Sequence, residues 1–196
     1  MKSGAIQANI EAGDVTQNDL MTMFPFSNSI EAASIQGRYL RQALEHSVSR
    51  LTSDGQEEEE GGKLLLQVSG ARLVYDVTRR VGSRLVSAEV RCEDCEGDKM
   101  ETLDDDKMYN IVTFDYLLNG GAGYSMLNEN IEDRVTGKLN RELIREVMEN
   151  SSPVSARLEG RITIIKAGSE DEAVSGANTG RRGVLDLLGH RIEVSY

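Results

Sequence analysis

The chain has 196 residues, of which 39% are hydrophobic and 28% charged, enough for one domain of ordinary size with a buried core. A net charge of −11 repels a nucleic-acid backbone, which sets nucleic acid aside as a partner. No apolar run approaches the roughly 20 residues that a membrane-spanning helix requires, so no transmembrane segment is expected.

The clearest helix in chain order is 37–51 (GRYLRQALEHSVSRL). Leu40, Ala43, Leu44, Val48 and Leu51 recur at three- and four-residue spacing and make one apolar face. The acidic stretch 56–62 (QEEEEGG) reads as a solvated loop. Strands are expected at 63–69, 72–77, 84–91 and 108–113, each rich in β-branched or other apolar residues and bounded by Gly or Asp. Ser69-Gly70-Ala71 reads as a hairpin connection between the first two. A second helix is expected at 140–149, where Leu143, Ile144, Val147 and Met148 share a side, and a late strand at 161–166. Asn150-Ser151-Ser152, just after that helix, is an N-x-S glycosylation acceptor. Residues 168–182 hold almost no apolar side chain and read as disordered. Residues 184–194 read as a short strand or helix without an evident partner. A helix, several strands, a helix and a strand argue an α+β or mixed α/β fold.

The two cysteines, Cys92 and Cys95, stand in CEDC. C-x-x-C is open to three readings. Half of a zinc site needs a second Cys or His pair, and the two histidines, His46 and His190, are scattered. A redox motif normally opens a helix, whereas this one follows a strand-like run. A small surface disulfide closing a hairpin is the favoured reading, and it points to an oxidising compartment.

Residues 114–127 read FDYLLNGGAGYSML. No Gly-Lys-[Ser/Thr] follows, so this is not a P-loop, and it is not a G-x-G-x-x-G opening a βαβ unit. Glycines after a strand permit positive φ and close backbone approach. Tyr116 and Tyr124 could offer a ring face to a flat ligand, or could be core aromatics around a tight turn.

The run VTFDYLLNGGAGYSML resembles the signature of the C-terminal domain of the 5′-nucleotidases, and other segments match in order. Residues 18–37, with their Pro25-Phe26, resemble the family's PFGNT segment. ALEHSVSR and LQVSGARLVYDVTRRVGSRLVSAEV resemble its next helix and strands, and PVSARLEGRI its last strand. CEDC falls where the animal ecto-5′-nucleotidases carry C-x-x-C. The resemblance covers about residues 3–165. It implies layered sheets flanked by helices over 1–166, followed by a disordered tail at 167–196.

The family clamps a nucleotide base between two aromatic rings, which the resemblance places at Phe26 and Tyr116. Asn119, Gly120, Gly121 and Ala122 then form the loop that carries the second ring. Ala122 stands where the family has an Asp whose carboxylate accepts from the ribose hydroxyls. Gln7 stands at the phosphate-side position where the family has an Arg, keeping a donor but losing the charge and the fork. Lys2 falls where the family has an Asn. Both Ala122 and Gln7 are expected to weaken nucleotide binding. Hydrolysis in the family belongs to a separate N-terminal metallophosphoesterase domain with two divalent, zinc-type metal ions. No catalytic residue or metal ligand is expected within this chain, which is expected to lack that domain and not to hydrolyse AMP by itself. His46, inside the helix motif, is expected to be structural.

The resemblance thus implies the substrate-specificity domain of a hydrolase acting on extracellular nucleotides, with a nucleoside monophosphate or nucleoside as ligand. The competing reading is a non-catalytic nucleotide-binding or dimerisation module, since the animal cell-surface members associate as homodimers through this domain. An extracellular or cell-surface location follows from the resemblance and from C-x-x-C.

Overall fold

The computed structural model describes residues 1–57, 63–92, 95, 99–155 and 157–167. The expectations for 168–182 and 184–194, His190, and most of the acidic loop lie outside the described residues. Helices and strands are mixed, and the strands form two sheets. The α+β expectation holds.

The chain enters helix α1 (Gln17–Met23) through a capping box. The Thr16 hydroxyl accepts from Asp19 N at 3.3 Å, and the Asp19 carboxylate accepts from Thr16 N at 2.8 Å. Strand β1 (Ser29–Gln36) runs straight into α2 (Gly37–Ser47). That junction requires a glycine. A Cβ at Gly37 would lie 1.9 Å from the Asp104 carbonyl oxygen. The apolar periodicity of 37–51 therefore continues past the helix proper, with Val48 and Leu51 buried in the turn that follows.

Strands β2 (Ala71–Asp76), β3 (Leu85–Arg91) and β4 (Met100–Thr102) come next. They are followed by β5 (Met108–Phe114), α3 (Asp115–Leu118), α4 (Ser125–Asn130), β6 (Ile131–Leu139), α5 (Asn140–Ser151) and β7 (Ile162–Ile165). The first sheet has the order β5-β1-β6, with both pairings antiparallel. The second has the order β4-β3-β2-β7, and only the β2–β7 pairing is parallel. Ile35, Leu44, Leu73, Tyr75, Leu118 and Tyr124 lie in one buried cluster drawn from both sheets and the helices. Burial pushes the Tyr75 phenol up to about 12, and its hydroxyl donates to Leu44 O at 3.2 Å.

Residues 63–69 are not a strand, and 69–71 does not close a hairpin. Leu66 makes only an isolated bridge to Lys2. The apolar run is there because Leu64 and Leu66 are buried anchors. Their neighbourhood serves the amino-terminal segment instead of a ladder: Ser3 N donates to Leu65 O at 2.7 Å and Gln67 N to Met1 O at 2.6 Å. The cysteines behave as expected. Cys92 and Cys95 are joined by a disulfide with Cα atoms 5.4 Å apart, and Cys92 N donates to Lys99 O where β3 leads to its partner β4.

Candidate functional site

The first sheet decides where the candidate residues fall. β1 and β5 are antiparallel, with Ile30 opposite Phe114. Phe26 precedes Ile30 by four residues, and Tyr116 follows Phe114 by two. Both rings therefore leave the same end of the same strand pair. Each is an aromatic left in solvent beside one that is not: Phe26 is 52% exposed against 1% for Phe24, and Tyr116 is 45% exposed against 5% for Phe114. A large ring held half in water at a sheet end has lost the burial that normally stabilises it. α5 fixes the segment that carries Phe26. Asn140 Nδ2 donates to Phe26 O at 3.1 Å, Asn140 N donates to Asn28 O at 2.9 Å, and the Arg141 guanidinium donates to the Ser27 hydroxyl. Asn140 also lines an apolar cleft of about 90 Å³ under α5, with Phe24, Ile30, Leu143 and Val147.

The glycine loop is built around Tyr116. A Cβ at Gly121 would stand 2.5 Å from Tyr116 Cζ and 2.5 Å from Tyr116 O, so only glycine lets backbone and ring come this close. Gly120 has φ +79°, and Ala122 has φ 56°, a left-handed conformation that an alanine adopts at a cost of about 1 kcal/mol. Two contacts hold the loop from below. His46 Nε2 donates to Ala122 O at 3.0 Å and its ring meets Tyr124 edge-on at 4.7 Å. The buried Tyr124 hydroxyl donates to Leu64 O at 2.7 Å, and burial pushes its pKa well up, so it stays a donor. His46 thus links α2 to the loop.

Asn119 is tied to the sheet by residues that the sequence did not single out. Arg134 Nη1 donates to Asn119 Oδ1 at 2.8 Å, while Arg134 Nε pairs with the Glu31 carboxylate. A β-bulge makes this reach possible. Between the pairs Ala32–Val135 and Ser34–Glu132, two residues of β6 oppose one of β1, and Asp133 takes φ 49°. Glu31 is 4% exposed. Burial, the largest single influence, pushes its carboxyl up. Hydrogen bonds from Arg134, Ser29 and Thr136, with the Arg134 charge, outweigh it and hold the pKa below the usual glutamate value.

A depressed folded-state pKa means that this carboxylate's stabilisation is complete above the unfolded-state value, near 4.5, and is lost as pH falls through the lower folded value. Between pH 6 and acid, the native chain is expected to lose more stability than Glu31→Gln. Urea midpoints of the two proteins at each pH measure this, and parallel losses would refute it.

Gln7 lies at the surface, where its Nε2 donates to Gly4 O at 2.7 Å and its backbone N to Met23 O at 2.9 Å. One of its two amide N–H donors is engaged within its own turn. Lys2 does come to the Tyr116 ring: its Nζ lies over it, 5.6 Å from the centroid. Among the described residues, no group of three or more His, Cys, Asp or Glu side chains is placed to hold a metal ion. The arrangement offers ring faces, a glycine turn and scattered donors. These suit the binding of a flat molecule.

The family model for "5'-nucleotidase, C-terminal domain" matches residues 1–129. An apyrase of Tabanus yao is 39% identical over 169 residues, covering 85% of this chain and 29% of the apyrase. A snake venom 5′-nucleotidase of Gloydius brevicauda is 34% identical over 173 residues, covering 86% of this chain and 28% of the enzyme. The crystal structure of a 5′-nucleotidase precursor from Thermus thermophilus superposes with a TM-score of 0.73 at 31% identity, covering 84% of this chain and 30% of that one. The chain thus spans less than a third of the length of these relatives. On the family model and the superposition together, the chain belongs to the 5′-nucleotidase C-terminal domain family.

Proposed function

We propose that this chain is the nucleotide-binding, substrate-specificity part of a 5′-nucleotidase-type hydrolase, and that Phe26 and Tyr116 stack the base of a nucleoside monophosphate or nucleoside between them. The single observation that carries the reading is the pair of half-exposed rings at one end of the β1–β5 pair. Stacking uses ring faces and contributes about 1–3 kcal/mol per base. In this proposal Asn119, Gly120, Gly121 and Ala122 set the height and tilt of the Tyr116 ring, and Gln7 lies on the phosphate side. Residues 1–166 form the working domain. Hydrolysis requires two divalent metal ions held by a separate catalytic domain, and the residues described here bind and orient the substrate without holding those ions. An extracellular location is supported by the closed Cys92–Cys95 disulfide and by relatives from venom. Homodimerisation through this domain is part of the same proposal and rests on the resemblance alone.

Calorimetric titration with AMP and adenosine tests the reading. Phe26→Ala and Tyr116→Ala are each expected to weaken binding roughly ten- to hundredfold, following the stacking energy, with circular dichroism unchanged. If both variants bind as the native chain does, the shelf is in the wrong place.

A further inference from the structure

Stacking leaves base identity undecided, because every base has a π-face. Discrimination has to come from a polar group within reach of the stacked base. Lys2 brings its ammonium over the Tyr116 ring, 5.6 Å from the centroid. Its backbone is anchored by the bridge to Leu66 and by the bonds of Met1 and Ser3 to 65–67. Lys2 is half-buried. Among the described residues, no carboxylate forms an ion pair with it. An anchored cation beside an exposed ring, with its hydrogen-bonding capacity unspent, is equipped to read a ligand.

We propose that Lys2 is a base-specificity residue that turns the shelf toward 6-oxopurines, guanine and hypoxanthine, and away from adenine. The inference rests on the stacking role of Phe26 and Tyr116. A lysine ammonium has three donors and no acceptor. The O6/N7 edge of guanine or hypoxanthine presents two acceptors, whereas the matching edge of adenine presents one acceptor and an amino donor. The ammonium satisfies both acceptors of the first edge and faces a like donor on the second. An amide at this position has both a donor and an acceptor and would suit either edge. Lysine therefore removes a tolerance that asparagine would supply.

The test is calorimetric titration of the native chain, Lys2→Met and Tyr116→Ala with guanosine, inosine and adenosine, none of which carries a phosphate. Guanosine and inosine are expected to bind the native chain roughly tenfold more tightly than adenosine, the low end of a two-acceptor contact. Lys2→Met is expected to bring all three to similar affinity, chiefly by weakening the oxopurines, while Lys2→Arg keeps the preference. Equal binding of the three nucleosides by the native chain overturns the proposal. So does a preference that survives in Lys2→Met. A Lys2→Met variant that weakens GMP and AMP alike but leaves the nucleosides unchanged overturns it too, by assigning the ammonium to phosphate. If no nucleoside binds the native chain and Tyr116→Ala does not alter its titrations, the stacking reading itself has failed, and the proposal falls with it.

Discussion

Arg84→Ala is expected to lower the unfolding free energy by about 3 kcal/mol or more, a large part of the roughly 5–15 kcal/mol that a domain possesses. Arg84 is 8% exposed and lies where the chain leaves α2. Its Nη1 donates to Val48 O at 2.6 Å and Leu51 O at 2.8 Å, and Nε donates to Arg79 O at 3.2 Å. The last carbonyls of a helix have no partner within it. Here one guanidinium satisfies two carbonyls in the turn that follows, and its positive charge sits at the negative end of the helix. The same stretch is gripped from the other side: the Glu45 carboxylate accepts from Arg84 N at 2.8 Å and Leu85 N at 2.6 Å. Truncation strips the guanidinium's bonds from both carbonyls, leaving Val48 O with only the 3.2 Å bond from Leu51 N, and opens a void where the side chain lay. With a urea m-value of about 1–3 kcal/mol/M, the midpoint should fall by roughly 1–3 M. Arg84→Lys should recover only part, since an ammonium on a single stem cannot reproduce the fork. A midpoint that stays put would mean that water replaces the guanidinium at no cost.

The second large effect is on binding. Gly121→Ala should abolish measurable nucleotide binding, or weaken it at least tenfold, because the new methyl would occupy the space of the Tyr116 ring and of its carbonyl. The comparison that isolates the cause is the same substitution in a Tyr116→Ala background. There the ring collision is gone and only the carbonyl collision remains, so Gly121→Ala should lower the thermal midpoint less than it does in the native chain. Equal losses in both backgrounds would locate the strain in the backbone alone and remove the ring from the explanation.

What the sequence disclosed followed the strength of its periodic signal. α2 was legible because Leu40, Ala43 and Leu44 mark a stripe on a helix of ordinary propensity. β3 and β5 were legible because apolar residues sit between clear breaks. β1 was not. Its buried face consists of Glu31, Ala33 and Ile35, and a glutamate in the middle of a strand is acceptable only because Arg134, 103 residues later, neutralises it. β6 was illegible for the opposite reason: eight of its nine residues are exposed, so no alternation was there to read. At 63–69 the apolar run misled, since leucines that anchor a loop look like leucines that fill a strand. The site divided in the same way. Phe26, Tyr116 and the NGG turn came from family motifs, whereas Arg134, Glu31 and Asn140 act through contacts that only the folded chain creates.

The bulge in β6 has a further consequence. It lets one arginine grip both the central strand and the loop bearing Tyr116, so the loop cannot tilt without breaking the hydrogen bond from Arg134 to Asn119. The Tyr116 ring should therefore keep its tilt relative to the sheet whether or not a ligand is bound.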